Sequence, residues 1–421
     1  MTERVLIVGS GGREHALGWK IKQSANSPDL YFAPGNGGTQ QIGTNLDIEA
    51  TEVNNLARFS SDNKVGLTVV GPESPLGEGI VNVFNEDRLP IFGPTQEAAR
   101  LETSKSWAID FMKRHNIPQP KSVVFTDLRV AMHFFDEPVW KDFVIKADGL
   151  ASGKGVFLPD SKEEATNAIK RIMIDREFDN GSRIVIQERL RGKEISFLAF
   201  TDGKIIVPLL PAQDHKRVND NDKGHNTGGM GAFAPAASMD KELVKQVYDR
   251  ILKPTVEGMG MEGNLFKGVL YAGLMMTNDG PKVLEYNVRF GDPETQPLIM
   301  LLNSDLLRAL RNTAEGKLKK DDIIFDRGGA VCVVLTAEGY PGKPKIGDVI
   351  YGLDKVMNSD IQVFHAGTRL ENGSILTNGG RILGVSARGK DINDARRKVS
   401  SLIGENGIHF RGMHYRKDIG L

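Results

Sequence analysis

Residues 282–297 read KVLEYNVRFGDPETQP. Side chains on a strand alternate between its two faces. Leu284, Tyr286, Val288 and Phe290 then share one face, and Val283, Glu285, Asn287 and Arg289 share the other. A carboxylate, an amide and a guanidinium therefore project together from a strand whose back is buried. Glu285 and Asn287 offer hard oxygen ligands one pleat repeat apart. That suits Mg²⁺, which commonly takes one or two protein oxygens and fills its shell with water and phosphate. Arg289 can fork onto a phosphate or carboxylate. A half-exposed strand with a solvated polar face would alternate in the same way. The two carboxylates that follow at once, Asp292 and Glu294, argue against that blander reading.

Outward from this segment, residues 144–156 read VIKADGLASGKGV. A predicted strand carrying Lys146 runs into a loop with Gly149, Gly153 and Gly155, then into a second short strand. Amides of such a loop can cover phosphate oxygens while Lys146 and Lys154 supply charge. It is not a Walker A loop, which needs four residues between its glycines, a hydroxyl after the lysine and a following helix. A plain glycine hairpin with exposed lysines is the competing reading. Residues 212–235 are predicted to be a long polar loop, of the kind that is usually functional or unstructured. Within it Asp214, Lys216 and Arg217 can meet a charged substrate, and Gly228 and Gly229 let backbone amides approach it. His215 and His225 match no common zinc spacing.

The chain opens with VLIVGSGGREHAL at residues 5–17, a buried strand, a glycine turn and a helix. A dinucleotide fingerprint would need glycine at position 14, where Glu14 stands, which argues against a nicotinamide cofactor. The turn can still seat an anion at the helix N-terminus. Residues 35–39 (GNGGT) and 71–73 (GPE) place further amides at the same sheet edge. Alternating strands and helices over the first hundred residues predict a parallel α/β domain. Ser104 is placed to cap a helix at 105–115. Strands are predicted at 123–125, 143–147, 184–187, 195–200, 205–210, 269–276 and 282–288, and helices at 128–135, 163–176 and 241–256. From Gly328 the pattern changes to mainly short strands, with a helix near 395–403.

Composition bounds the function classes. The 421 residues carry 54 basic and 54 acidic side chains, so no bulk charge draws the chain to nucleic acid or an anionic membrane. A single cysteine excludes an intramolecular disulfide and suits a reducing cytoplasm. No apolar run approaches a membrane span or a signal-peptide core. Glycine, at 47 residues, is in excess and sits largely in loops after strands. No nucleophile–base constellation stands out, and Cys332 lies in an apolar run that predicts a buried, inert thiol.

Together these segments resemble the ATP-grasp ligases and, within them, the glycinamide ribonucleotide synthetases. The resemblance is carried by VLIVGSGGREHAL, APGNGGT (33–39), VGPESPL (70–76), FGPTQEAARLETSK (92–105), AQDHKR (212–217), NTGGMGAFAP (226–235), RFGDPETQP (289–297), FHAGT (364–368), TNGGRILGVSARG (377–389) and YRKDIG (415–420). It covers essentially the whole chain. It implies an α/β architecture of three parts: an N-terminal doubly wound parallel domain (1–103) for phosphoribosylamine, a central two-lobed ATP-grasp domain (104–327, small lobe about 122–189) and a small, mainly β C-terminal domain (328–421). The implied reaction joins glycine to 5-phosphoribosylamine at the expense of ATP, through a glycyl phosphate. Glu285 and Asn287 would hold Mg²⁺ or Mn²⁺ on the ATP phosphates. Lys105, Lys146 and Lys154, with Gly153 and Gly155, would face those phosphates. Glu188 and Leu190 would meet the adenine, and Glu194 the ribose. Arg289, Asp214 and Lys216 would face glycine and the acyl phosphate. Gly9, Gly11, Gly12, Arg13, Gly37, Glu73, Thr227, Gly228 and Gly229 would receive the other substrates. The expected assembly is a monomer in the cytoplasm, with no nucleic-acid or membrane partner. Rival readings are an ATP-grasp ligase that uses bicarbonate or another amine, and a nucleotide-binding oxidoreductase or sensor built on the N-terminal α/β domain.

Overall fold

The apolar run after Glu3 forms the middle strand (Arg4–Gly9) of a five-stranded parallel sheet, in a computed structural model that describes residues 2–25, 27–136, 139–151, 155–178, 183–236, 239–355 and 359–421. The sheet order is Thr44–Asn45, Asp29–Pro34, Arg4–Gly9, Leu67–Val70, Ile91–Phe92. Leu6 and Val8 pack on one face with Val53 and Leu56 of the helix Val53–Asp62. Val5 and Ile7 pack on the other with Ala16, Leu17 and Ile21 of the helix Gly12–Ile21. Covering both faces explains why these strands read as continuous apolar runs. The chain leaves the middle strand in opposite directions toward its two neighbours, so a crevice opens at the ends of Gly9 and Val70.

Ser104 caps the next helix, Lys105–Arg114, as expected, its hydroxyl accepting from the Trp107 amide. Beyond it a four-stranded antiparallel sheet runs in the order Ser122–Phe125, Ile184–Glu188, Phe143–Ala147, Val156–Phe157. The helices Leu128–His133 and Lys162–Met173 close one side, and Ala131, Phe135, Ala165, Ile169 and Ile172 form a separate small core with Ile145 and Ile186. The glycine loop after Ala147 belongs to this lobe. Gly153 and Lys154 lie outside the described residues.

A second antiparallel sheet, in the order Ile206–Pro208, Lys193–Thr201, Gly268–Thr277, Gly280–Asn287, carries the acidic strand. Here the strict alternation predicted for residues 282–290 fails at one point. Gly273 pairs with Glu285 and Leu274 with Val283, so Leu284 is an extra residue in a bulge. The bulge rotates Val283 onto the buried face with Tyr286 and Val288. Glu285, Asn287 and Arg289 keep the other face.

The predicted loop 212–235 also differs. It contains the strands Gln213–Asp214, Arg217–Asn219, Lys223–Asn226 and Gly231–Ala234. The first and last of these join the C-terminal sheet, whose order is Gln213–Asp214, Gly231–Ala234, Gly329–Thr336, Arg381–Gly389, Ile361–His365. These strands are too short to show a period of two. Gly231–Ala234 is ordered by pairing with Gly329–Thr336, far along the chain, which local propensity does not encode. The helix predicted at 241–256 runs further, through Lys241–Val247, a π-helical turn at Tyr248–Leu252, and Lys253–Met261. Among the described residues no helix is long and apolar enough to cross a membrane.

Candidate active site

The acidic strand faces three lysines brought in from three different elements. Lys146 rises from the central strand of the small lobe, and its Nζ donates to the Leu284 carbonyl at 3.0 Å, the backbone group exposed by the bulge. Lys105, the first residue of its helix, donates to the Gly149 carbonyl at 2.7 Å. Lys216 meets the Glu194 carboxylate at 3.2 Å. Burial pushes the Lys146 ammonium down to about 8, with Glu285 opposing the shift. Glu285 stays below the usual carboxylate range, because Lys216, Lys146 and Lys105 outweigh the upward push of burial. Lys216 is held well above its ordinary value, chiefly by Glu194. Asp214 goes the other way: burial raises it to about 7, against Lys216 and with the help of Glu294, Glu194 and Glu285.

Among the described residues no group of three His, Cys, Asp or Glu side chains is placed to hold a metal. Glu285 and Asn287 offer two oxygens on one strand face, and neither side chain makes a hydrogen bond among the described residues. Two hard donors beside a cationic rim fit an ion that takes the rest of its shell from water and phosphate.

Arg289, next on the same face, is bound from behind. Its Nε meets Glu73 at 3.1 Å and a terminal nitrogen meets Glu102 at 2.9 Å. Glu102 also accepts from the Val288 amide at 2.7 Å. Burial raises Glu102 to about 7, although Arg289 pulls it down, whereas in Glu73 the pull of Arg289 and Arg13 outweighs burial. Arg289 itself is driven above its ordinary value by the two carboxylates. Glu294 accepts from Ser196 at 2.9 Å and from Tyr271 at 2.6 Å, which fixes the turn after the strand.

At the parallel-sheet crevice part of the helix N-terminus is taken up by the chain's own carboxylates. The Gly11 amide donates to the Glu14 carboxylate at 2.6 Å, and the Arg13 amide reaches Asp292 at 3.4 Å. Arg13 donates to Glu14 at 2.6 Å and to the Phe290 carbonyl at 2.9 Å, tying this turn to the acidic segment. The residue that breaks the dinucleotide pattern thus fills the crevice: a Cβ on Gly71 would sit 1.9 Å from a Glu14 oxygen. Glu73 follows that glycine on the way to Arg289. Gly9, at φ +121°, and Gly12 complete the turn. Gly37 stands further out, its amide donating to the Thr368 carbonyl at 3.1 Å.

The Thr227–Gly229 turn closes the other side. Thr227 bonds the Lys216 carbonyl through both its amide (2.7 Å) and its hydroxyl (2.8 Å). Arg381 donates to the Gly228 and Asp292 carbonyls at 2.7 Å each, drawing this turn and the acidic segment together. Gly229 has φ +112°, and a Cβ there would lie 2.4 Å from Pro293 Cδ. Gly229→Ala is therefore expected to lower stability by ~1–3 kcal/mol. Thermal unfolding checks this, and an unchanged midpoint would contradict the contact.

The structure thus gathers Lys105, Lys146, Glu194, Asp214, Lys216, Glu285 and Arg289 around one cleft. Glu188 sits at its edge, accepting from the Lys121 amide at 3.2 Å, and Leu190 follows it in the connection to the large sheet. Gly155 closes the small-lobe hairpin, its carbonyl accepting from the Ala147 amide at 2.8 Å. Sequence reasoning missed Glu102, Asp148, Ser196, Tyr271 and Arg381. Asp148 accepts from the Ser106 amide (3.1 Å) and hydroxyl (2.6 Å), fastening the glycine loop to the helix that carries Lys105. Its position at the mouth of the glycine loop was the only local cue.

Residues 3–102, 103–295 and 330–421 match, in turn, the N domain, the ATP-grasp (A) domain and the C domain of Phosphoribosylglycinamide synthetase. The chain is 47% identical to a Phosphoribosylamine--glycine ligase of Yersinia pestis, over 99% of this chain and 98% of that one. It is 46% identical to the Trifunctional purine biosynthetic protein adenosine-3 of Gallus gallus, spanning 42% of that protein's length. A crystal structure of Phosphoribosylamine--glycine ligase from Thermotoga maritima superimposes with a TM-score of 0.84 at 37% identity, covering 99% of this chain and 100% of that one. A biotin carboxylase from Campylobacter jejuni, 13% identical with a TM-score of 0.73, shares the fold. With a doubly wound N-terminal domain, a two-lobed centre and matches along nearly its whole length, the chain belongs to the phosphoribosylglycinamide synthetase family.

Proposed function

We infer that the protein is a carbon–nitrogen-bond-forming ligase that uses ATP to join glycine to 5-phosphoribosylamine. The products are glycinamide ribonucleotide, ADP and phosphate, in purine biosynthesis. The observation that carries this reading is the pair of unbonded oxygen donors, Glu285 and Asn287, facing Lys105, Lys146 and Lys216 in a chain of this family. A carboxylate is a poor acyl donor. One glycine carboxylate oxygen therefore attacks the γ-phosphorus of ATP and ADP departs. The amine of phosphoribosylamine then attacks the acyl carbon of the glycyl phosphate, and phosphate leaves. Such transfers need positioning and charge neutralisation rather than a covalent nucleophile, which accounts for a site built of lysines and carboxylates.

Glu285 and Asn287 would hold Mg²⁺, which when bound screens the phosphate charge. Lys105 and Lys146, with Lys154 and the Gly153–Gly155 loop, bind the ATP phosphates. Glu188 and Leu190 border the adenine, and Glu194 the ribose. Lys216 and Asp214 face the glycine carboxylate. Asp214, raised to about 7, can hold or release a proton near neutrality. Arg289 stands behind them on Glu73 and Glu102. Phosphoribosylamine is assigned to the crevice formed by Gly9, Gly11, Gly12, Arg13, Glu73, Gly37 and the Thr227–Gly229 turn. The protein works as a monomer in the cytoplasm.

ADP release tests the reading. Turnover should require glycine and phosphoribosylamine together, and bicarbonate should not replace glycine. Release without glycine would overturn it. The Lys146 ammonium adds a pH signature. Its depressed value means it is charged below about 8 and neutral above, so the KM for ATP should rise between about pH 7 and 9. Lys146→Met should raise the KM and flatten that rise. A pH dependence unchanged in the variant would assign the titration to another group.

A further inference from the structure

The hairpin that carries Lys216 is gripped by a segment near the C-terminus. Arg416 is 1% exposed. One of its terminal nitrogens donates to the Arg217 carbonyl at 3.1 Å and to Asp222 at 2.7 Å. The other donates to His215 Nδ1 at 3.1 Å and to Asp418 at 2.6 Å, and its Nε donates to Asp418 at 2.7 Å. A guanidinium can only donate, so His215 Nδ1 accepts and the ring proton sits on Nε2, which is buried without a partner among the described residues. One side chain thus holds the residues on both sides of Lys216. Neighbouring bonds reinforce the grip. The Asn221 amide donates to Asp418 at 2.8 Å, the Lys417 amide to Asp220 at 2.8 Å, and His414 Nε2 meets the Val218 carbonyl at 2.8 Å. The fork geometry matters, because a lysine at this position could not satisfy a carbonyl, an imidazole and two carboxylates in one plane.

We propose that Arg416 is a positioning residue for the ligase reaction, acting through Lys216: it fixes the 213–226 hairpin so that the Lys216 ammonium stays against Glu194 and faces Glu285. The proposal rests on the reading of Lys216 as a group that faces glycine and the transferred phosphate. Arg416 is remote from the acidic strand in sequence, and its part is to set the height and direction of the Lys216 backbone.

The test uses the full chain with Arg416→Ala, Arg416→Lys and, as a milder cut, Asp222→Asn, which removes one exposed arm and spares the buried core. Hydrogen exchange reads the grip without reference to activity. Amides of residues 217–227 should exchange at least tenfold faster in Arg416→Ala, with the central sheet unchanged. Turnover reads the consequence: kcat for ADP release should fall at least tenfold in Arg416→Ala and in Arg416→Lys, with the KM for ATP changed less than threefold. Millimolar methylguanidinium should restore part of the loss in Arg416→Ala alone. Combined with Lys216→Ala, Arg416→Ala should add less than twofold to the loss. Exchange unchanged in all three variants would overturn the grip. Faster exchange with wild-type kcat, or multiplicative losses in the double variant, would overturn positioning through Lys216. If Arg416→Ala fails to fold, Arg416→Lys and Asp222→Asn decide by the same criteria. Wild-type protein that releases no ADP with glycine and phosphoribosylamine would defeat the underlying functional reading, while the exchange arm still tests the grip.

Discussion

Glu285→Gln and Asn287→Ala are each expected to slow ADP release by roughly 10²- to 10³-fold, the usual loss when a group that stabilises developing charge is removed. The expected loss is electrostatic in origin. Glu285 is a half-buried carboxylate kept ionised by Lys216, Lys146 and Lys105. Glutamine preserves its shape and one oxygen but removes the negative charge that faces Lys146 and Lys105, while Lys216 keeps Glu194. The lysines remain to bind ATP, so nucleotide affinity should fall far less than turnover. Both variants should need more Mg²⁺ for half-maximal rate, because Glu285→Gln removes the ligand's negative charge and Asn287→Ala removes an oxygen donor. Asn287→Ala also removes an amide at the exit of the strand, with no bond to a neighbour to disturb, so its unfolding midpoint should match the parent. A titration in which both variants keep the parental Mg²⁺ dependence would refute the metal assignment.

Arg289→Ala carries the largest expected cost in stability, about 3–5 kcal/mol, as for a buried ion pair stripped of one partner. Glu73 and Glu102 would be left facing each other in a desolvated crevice between the parallel sheet and the acidic strand. Adding Glu102→Gln should recover part of the loss, since it removes one of the two opposed charges. Its sign with pH is fixed. Glu102 titrates at about 7 in the folded protein, above its ordinary 4.5. Its favourable contribution is therefore complete below the ordinary value and lost as the pH rises through the folded one. Removing the arginine pushes that folded value higher still. Arg289→Ala should thus lose less stability, relative to the parent, at about pH 6 than at about pH 8. Urea unfolding at the two pH values measures this, and an equal deficit at both would place the stabilisation elsewhere.

How much was legible in the sequence follows from where each signal was stored. The middle strand, its glycine turn and the helix after it were legible because burial on both faces writes an unbroken apolar run. Ser104 announced its helix through a capping hydroxyl. The faces of the acidic strand were legible except at Leu284, because a bulge adds a residue without leaving any mark of its own in the side-chain pattern. That bulge is what frees the carbonyl for Lys146. The segment 212–235 was read as loop because its order comes from the strand Gly329–Thr336, which pairs with Gly231–Ala234, and from Arg416, both distant in sequence. Glu102 carried no local signal for the same reason, and Glu294, noticed as a carboxylate after the strand, gave no hint of its partners Tyr271 and Ser196, which are assembled by tertiary contacts. Glu14 was noticed only as a missing glycine. Its carboxylate takes the Gly11 amide, so the turn has one donor fewer for a ligand than the glycine pattern suggests.

The account's central claim is that the carboxylate of glycine is activated by phosphorylation before the amine attacks. Glycine labelled with ¹⁸O in its carboxylate tests this directly under single turnover with ATP and phosphoribosylamine. The reaction as written moves one labelled oxygen into inorganic phosphate and leaves one in the amide of the product. Amide product formed with phosphate free of label, the second labelled oxygen having gone to water, would contradict it.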